Sequence, residues 1–202
     1  MEALNSIGVL LGSSWASGVN LYMTVAGLGI AERMHWITLP GSMKVLSNPL
    51  IILVACVLYA VEFVADKIPF VDSAWDAIHT FIRPFGAAAL GYMAASNASP
   101  AVQIPIALIM GTVAMDSHLT KATARVAINS TAPGANAIAS VTEDAAVFGA
   151  LYLVIRHPVI TSIVVIGFIF FSIWFLSTMF KFLKKVLRFI FGTRAAAPVK
   201  AT

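Results

Sequence analysis

Residues 158–180, PVITSIVVIGFIFFSIWFLSTMF, run for 23 positions without a charge. As a helix rising about 1.5 Å per residue, this run spans roughly 34 Å, enough to cross a bilayer core of about 30 Å. It stops at Lys181, Lys184, Lys185 and Arg188, and 181–192 alternates basic residues with Phe, Leu and Ile. That pattern predicts an amphipathic continuation at the headgroup surface. The excess of Lys and Arg places this end on the cytoplasmic side. Residues 195–202 read as a loose tail.

Composition extends the same reading to the whole chain. Apolar residues make up 59% and charged ones 11%, against about 25% charged in soluble domains. That excludes a disordered chain, a coiled coil, a disulfide scaffold and an ordinary cytosolic enzyme. The net charge of +4 is a property of the end alone: residues 181–202 hold six Lys/Arg and no acid, whereas 1–180 hold seven Lys/Arg against nine Asp/Glu. A basic tail on an acidic body, with no aromatic-interleaved basic groove, argues against nucleic acid. The single cysteine, Cys56, permits no intramolecular disulfide and no cysteine-based metal site. No Lys or Arg precedes residue 33, so no cleaved signal is expected. The expectation is one transmembrane helical domain over 1–180 followed by a basic cytoplasmic tail over 181–202.

A second span falls at about 45–66, starting near Asn48 because Pro49 suits a first helical turn. The other apolar stretches are irregular. Residues 3–31 carry no charge but contain GSSWASGVN, so they form either one helix after that motif or two half-helices meeting at it. Residues 84–115 are broken by SNASP and read as two short helices, 84–96 and 101–117. Residues 126–142, VAINSTAPGANAIASVT, are too polar for lipid and read as a re-entrant or cavity-lining segment. The pattern Ala-x-Gly-x-Asn occurs at 16–20 and again at 132–136, which marks Gly18, Asn20, Gly134 and Asn136 as cavity-lining breaks of a possible internal repeat. The fold class is therefore all-α: a polytopic membrane protein with short, broken or re-entrant helices.

In such a chain each ionisable residue is a functional candidate. Glu62 and Asp66 share one helix face with Tyr59. Asp72, Asp76, His79 and Arg83 fall within about 60° of one another on a helix, opposite Val71, Ala74, Trp75, Ile78 and Ile82. This narrow ionisable stripe either lies hydrated at the interface or faces a polar interior. Four carboxylates within 15 residues supply hard oxygen ligands for a divalent cation, to which His79 adds a softer one, and they serve equally as proton relays. His118, Lys121, Arg125 and Asn129 form a second stripe within about 80°, with Asp116 and Thr120 on the far side. The basic stripe pairs with the acidic one or holds an anion such as a lipid phosphate. Glu143 and Asp144 read as dipole-favoured acids at a helix start. Arg156-His157 marks the loop before the last span.

No P-loop, nucleophile elbow or His-Glu-x-x-His motif is present, and no catalytic residue is assigned. The run Asp66-x₅-Asp72-x₃-Asp76 differs in spacing from the Asp-rich magnesium–diphosphate motifs of membrane prenyl transferases and lacks their glycines.

The stretches SWASGVNLYMTVAGLGIAERMHW, VEFVADKIPFVDSAWDAIHTFIRP and MDSHLTKATAR resemble a bacterial multi-spanning family catalogued as domain of unknown function 4126, over about residues 10–150. The most specific block is Glu62-x₃-Asp66-Lys67-x-Pro69-x₂-Asp72-x₂-Trp75-Asp76-x₂-His79. The resemblance implies an integral protein of the bacterial inner membrane and transfers no activity. Glu62-x₃-Asp66-Lys67 also resembles the Glu-x-x-Asp-Lys signature of a cation-exchanger family, with one residue more between the acids. Pro69 predicts that the span ends near Lys67 and that a new helix covers 71–83, so the two acidic pairs converge at a bend. The leading expectation is a transporter or channel-like protein for a small ion or polar solute. The alternatives are a scaffold whose charges only pair helices and a metal-dependent lipid-modifying enzyme.

Overall fold

A computed structural model describes residues 2–68 and 70–192. Its helices are α1 (Glu2–Val19), α2 (Leu21–Arg33), α3 (Pro49–Ala65), α4 (Val71–Ala94), α5 (Pro100–Thr131), α6 (Asn136–Arg156) and α7 (Pro158–Gly192), with 3₁₀ stretches at Gly41–Ser47 and Pro133–Ala135. Among the described residues there is no strand. Three helices are long and apolar enough to cross a membrane: α5, α6 and the Pro158–Phe182 part of α7. The 3₁₀ stretch and α3, bent by 72° at their junction, make a fourth if they act as one span. The last span and the start of its basic continuation are one helix, with Lys181, Lys184 and Lys185 exposed. The tail expected over 195–202 lies outside the described residues.

The GSSWASG segment occupies the middle of the bundle. Helix α1 packs against α4, α5, α6 and α7, and Ser13, Ser14, Ala16 and Ser17 are completely buried. Side chains too small and polar for lipid contact are here what lets neighbouring backbones close on a central helix. Gly18 marks the tightest approach: a Cβ there would overlap the Ser117 hydroxyl and the Ala114 carbonyl of α5. Of the two arrangements open for 3–31, the chain takes two helices meeting at the motif. Asn20 is extended (φ −151°, ψ 100°), and its side chain caps α2 by accepting from the Met23 amide at 2.9 Å.

Helix α3 begins where Asn48 and Pro49 indicate, with the Asn48 side chain accepting from the Leu50 amide. Helices α4 and α5 correct the boundaries drawn from sequence. The 71–83 and 84–96 helices are one, because α4 continues through Pro84, and α5 runs through Pro105 as far as Thr131. Proline removes one helical N–H bond, and the long mutual packing of α4 on α5 holds the helix across that gap. The expected re-entrant segment over 126–142 is likewise mostly helix. Its polar residues Asn129, Asn136 and Ser140 face inward from α5 and α6, so only a short break at 132–135 remains.

The polarity of this bundle is inverted relative to a soluble one. On α4, Asp72, Asp76, His79 and Arg83 are buried while Ile78, Phe81, Ile82 and Phe85 are exposed. On α3, Glu62 is buried while Leu50, Leu53, Val57, Val61 and Val64 face outward. The apolar exterior fits lipid, and the ionisable stripe faces the interior. The chain turns between α3 and α4 through Phe70, whose left-handed backbone (φ 69°) is costly for a bulky residue.

The close approach at Gly18 gives a direct test. Gly18→Ala should destabilise the protein by about 1–3 kcal/mol, the usual cost of overpacking against backbone that cannot yield. Gly134→Ala should be near neutral, because no atom lies within 4 Å of its added Cβ. Thermal unfolding of both variants in detergent measures the difference.

Candidate functional site

The inward stripes of α3, α4, α5 and α6 meet in one network of charges. Arg83, with no exposed surface, is its first hub. Its Nη2 donates to Glu62 Oε1 at 2.9 Å, and its Nη1 lies 3.2 Å from Asp76 Oδ1. The same Nη1 donates to the Gly18 carbonyl at 3.2 Å and to His118 Nδ1 at 2.8 Å. A ring nitrogen that accepts from a guanidinium carries no proton, so His118 holds its proton on Nε2 and donates it to Thr80 Oγ1, 3.0 Å away. The Thr80 hydroxyl in turn donates to the Asp76 carbonyl.

Lys121 is the second hub. Its Nζ lies 2.8 Å from Asp66 Oδ2, 3.5 Å from Glu143 Oε2 and 3.8 Å from both Glu62 Oε1 and Asp76 Oδ1. It also donates to the Val19 carbonyl at 3.2 Å. The break at Asn20 explains that last contact. The Met23 amide, which would bond Val19 in an unbroken helix, goes to the Asn20 side chain instead. The carbonyls freed at the end of α1 are then taken by Arg83 and Lys121, as the negative end of a helix dipole favours.

Arg125 completes the set. It grips Glu143 with Nε and Nη2 at 2.9 and 2.6 Å, the two-pronged geometry that suits a guanidinium and a carboxylate. Its Nη1 donates to the Asp66 carbonyl at 2.9 Å and lies 3.7 Å from Asp72 Oδ2. Asp72 itself is held by neutral donors: Asn129 Nδ2 at 3.1 Å from each oxygen and Asn136 Nδ2 at 3.2 Å. Asp66 follows the end of α3. Burial raises its pKa, but Lys121, with Arg125 behind it, outweighs burial and holds the carboxyl below the usual range.

Several sequence candidates therefore converge. Glu62, Asp66, Asp72, Asp76, His118, Lys121 and Arg125 form one cluster, joined by Asn136 and by Asn20, whose Nδ2 reaches Asp144 Oδ1 at 3.4 Å. His79 sits at the edge, accepting from Tyr22 Oη through Nε2 and stacked on Trp75. Asp116 is elsewhere: it accepts from Ser172 of α7 at 2.7 Å. Of the two glycines, Gly18 is packed against α5, and nothing lies within 4 Å of a Cβ added at Gly134. Among the described residues no three His, Cys, Asp or Glu side chains come together as a metal site. The acids face cations and amides instead.

Glu143 and Asp144 correct the capping interpretation. Helix α6 starts at Asn136, so both acids lie two turns inside it and belong to the network. The signal was their place on the inward face with Asn136, Ser140, Val147, Leu151 and Val154. Arg83 and Asn129 were visible as the far ends of the two stripes. Tyr22 carried no signal beyond its neighbours, and Lys67 only that of the block it shares with Glu62 and Asp66.

Residues 7–178 match the family model described as domain of unknown function (DUF4126). No curated protein matches the chain, and no solved structure does.

The hub geometry sets an energetic order among the charges. Arg83→Met leaves Glu62 and Asp76 buried without their guanidinium and should cost about 3–5 kcal/mol, with partial recovery in the Arg83→Met/Glu62→Gln double variant. Asp116→Asn should stay within about 1 kcal/mol of the parent, since the remaining Oδ1 still accepts from the Ser172 hydroxyl. Chemical unfolding in mixed micelles ranks the three.

Proposed function

The chain belongs to the family of domain of unknown function 4126, and from that premise we propose that it moves a proton or a small monovalent cation through its buried carboxylate network. The observation that carries this is a surplus of acceptors. Among the described residues, the cations that Glu62, Asp66, Asp72, Asp76, Glu143 and Asp144 face are Arg83, Lys121 and Arg125, with Lys67 at the rim. Buried oxygens of Glu62, Asp66, Asp76 and Asp144 accept no hydrogen bond. A buried negative excess of this size is expensive. Protons or small cations on the free oxygens relieve it. Ions bound to relieve an excess are exchangeable, which is what a transport site requires.

The broken helix supports the same reading. Discontinuous helices whose freed carbonyls face ionic groups at the core are how small transporters present a site at depth. The basic residues after 180 orient the C-terminus toward the cytoplasm of a bacterial inner membrane. One observation favours the scaffold reading: each of the three buried cations ties carboxylates from different elements together. The readings separate at Asp76, neither of whose oxygens accepts a hydrogen bond.

Asp76→Asn removes one charge from the excess and keeps the side-chain shape. In proteoliposomes with an imposed membrane potential, the parent should carry proton, Na⁺ or K⁺ flux, and Asp76→Asn should lower it at least about tenfold while its melting temperature holds or rises. Equal flux in parent and variant sinks the transport reading.

A further inference from the structure

Lys67 stands apart from the other cations of the network. Arg83, Lys121 and Arg125 each lie within 4 Å of at least two carboxylates. The Lys67 ammonium donates instead to two neutral oxygens, the Phe63 carbonyl at 3.0 Å and Ser140 Oγ at 3.3 Å, and rests over the Phe63 ring. An ammonium held by neutral groups beside surplus carboxylates is not at its electrostatic optimum. The charges it feels are Asp66 beside it, Asp144 on α6 and, opposing them, Arg125 on α5.

The geometry also shows where it would go. Ser140 and Asp144 are one turn apart on the buried face of α6, a rise of about 6 Å along the helix. A four-carbon side chain covers that distance by changing rotamers. Asp144 has one buried oxygen that accepts no hydrogen bond; around it stand the Asn20 amide at 3.4 Å, the Tyr59 hydroxyl of α3 and the charge of Lys121 on α5. Lys67 lies in the turn between α3 and α4, outside both helices, and is half-buried. It therefore moves without disturbing a helix.

We infer that Lys67 is a tethered counter-ion of the network, which takes the seat at Asp144 when the transported cation leaves and returns to Phe63 and Ser140 when that cation binds. This rests on the transport reading and adds to it a competitor for cargo. No bond is made or broken in the exchange. At Asp144 one positive charge replaces another, so that carboxylate is not left without a counter-charge when the transported cation leaves. A tethered ammonium competes at a high effective concentration and so speeds release.

The test measures proton flux into proteoliposomes of the full chain against external pH, for the parent, Lys67→Met, Lys67→Arg, and Lys67→Met combined with Asp144→Asn. Without its competitor, Lys67→Met should reach half-maximal flux at about tenfold lower proton concentration and show a several-fold lower maximum. Lys67→Arg, which keeps the charge at the same site, should stay near the parent. The double variant should recover the parent's half-maximal proton concentration. If parent flux falls with Asp76→Asn but Lys67→Met keeps the parent's half-maximal point, the counter-ion role is wrong and transport stands. If Lys67→Arg behaves as Lys67→Met, packing rather than charge is at work and the inference fails. Absence of flux in the parent overturns the transport reading itself.

Discussion

The cost of holding charge away from water governs this fold. Four helices carry ionisable residues on the faces they turn inward, and an unpaired charge there would be untenable. Arg83, Lys121 and Arg125 meet that cost by spanning several elements each. Arg83 joins α1, α3, α4 and α5, and Lys121 joins α1, α5, α6 and the chain after α3. The network thus specifies helix register as well as local pairing. An apolar exterior, by contrast, gives one helix little preference for another when lipid is equally apolar.

The broken first helix belongs to the same economy of charge. Asn20 ends α1 by offering its own side chain to the Met23 amide, which releases carbonyls that a continuous helix would consume. Both are taken by buried cations. The small residues preceding the break let α5 approach closely enough for Lys121 to reach them. Packing and electrostatics here depend on the same few positions.

Much of this was legible in the residues. The uncharged run at 158–180, the Asn48–Pro49 helix start and the two charged stripes each follow from local rules. The opposite signs of the stripes point to the pairing found between α4 and α5. Helix continuity was less legible. Pro84 and the polar run after Val126 both read as breaks; tertiary packing carried helix through Pro84 and shortened the second break to 132–135. Glu143 and Asp144 were misread because the polar run before them hides the helix start, and moving it about two turns, from about 143 to Asn136, turns two capping acids into core residues. Asp116 shows the converse: it is close in sequence to His118 and Lys121 but faces α7. Lys67 was visible within the Glu62–Asp66 block, but its unusual feature, that no carboxylate among the described residues forms an ion pair with it, exists only in three dimensions.

The central claim is that the carboxylate surplus holds exchangeable positive charge. Six network acids against Arg83, Lys121, Arg125 and Lys67 leave two charges to be balanced. Potentiometric counting of bound protons at neutral pH, combined with elemental analysis of bound metal cations in the purified full-length protein, measures them directly. The account predicts about two such charges per chain, falling by about one in Asp76→Asn. A chain with all six acids ionised and no bound cation would contradict it.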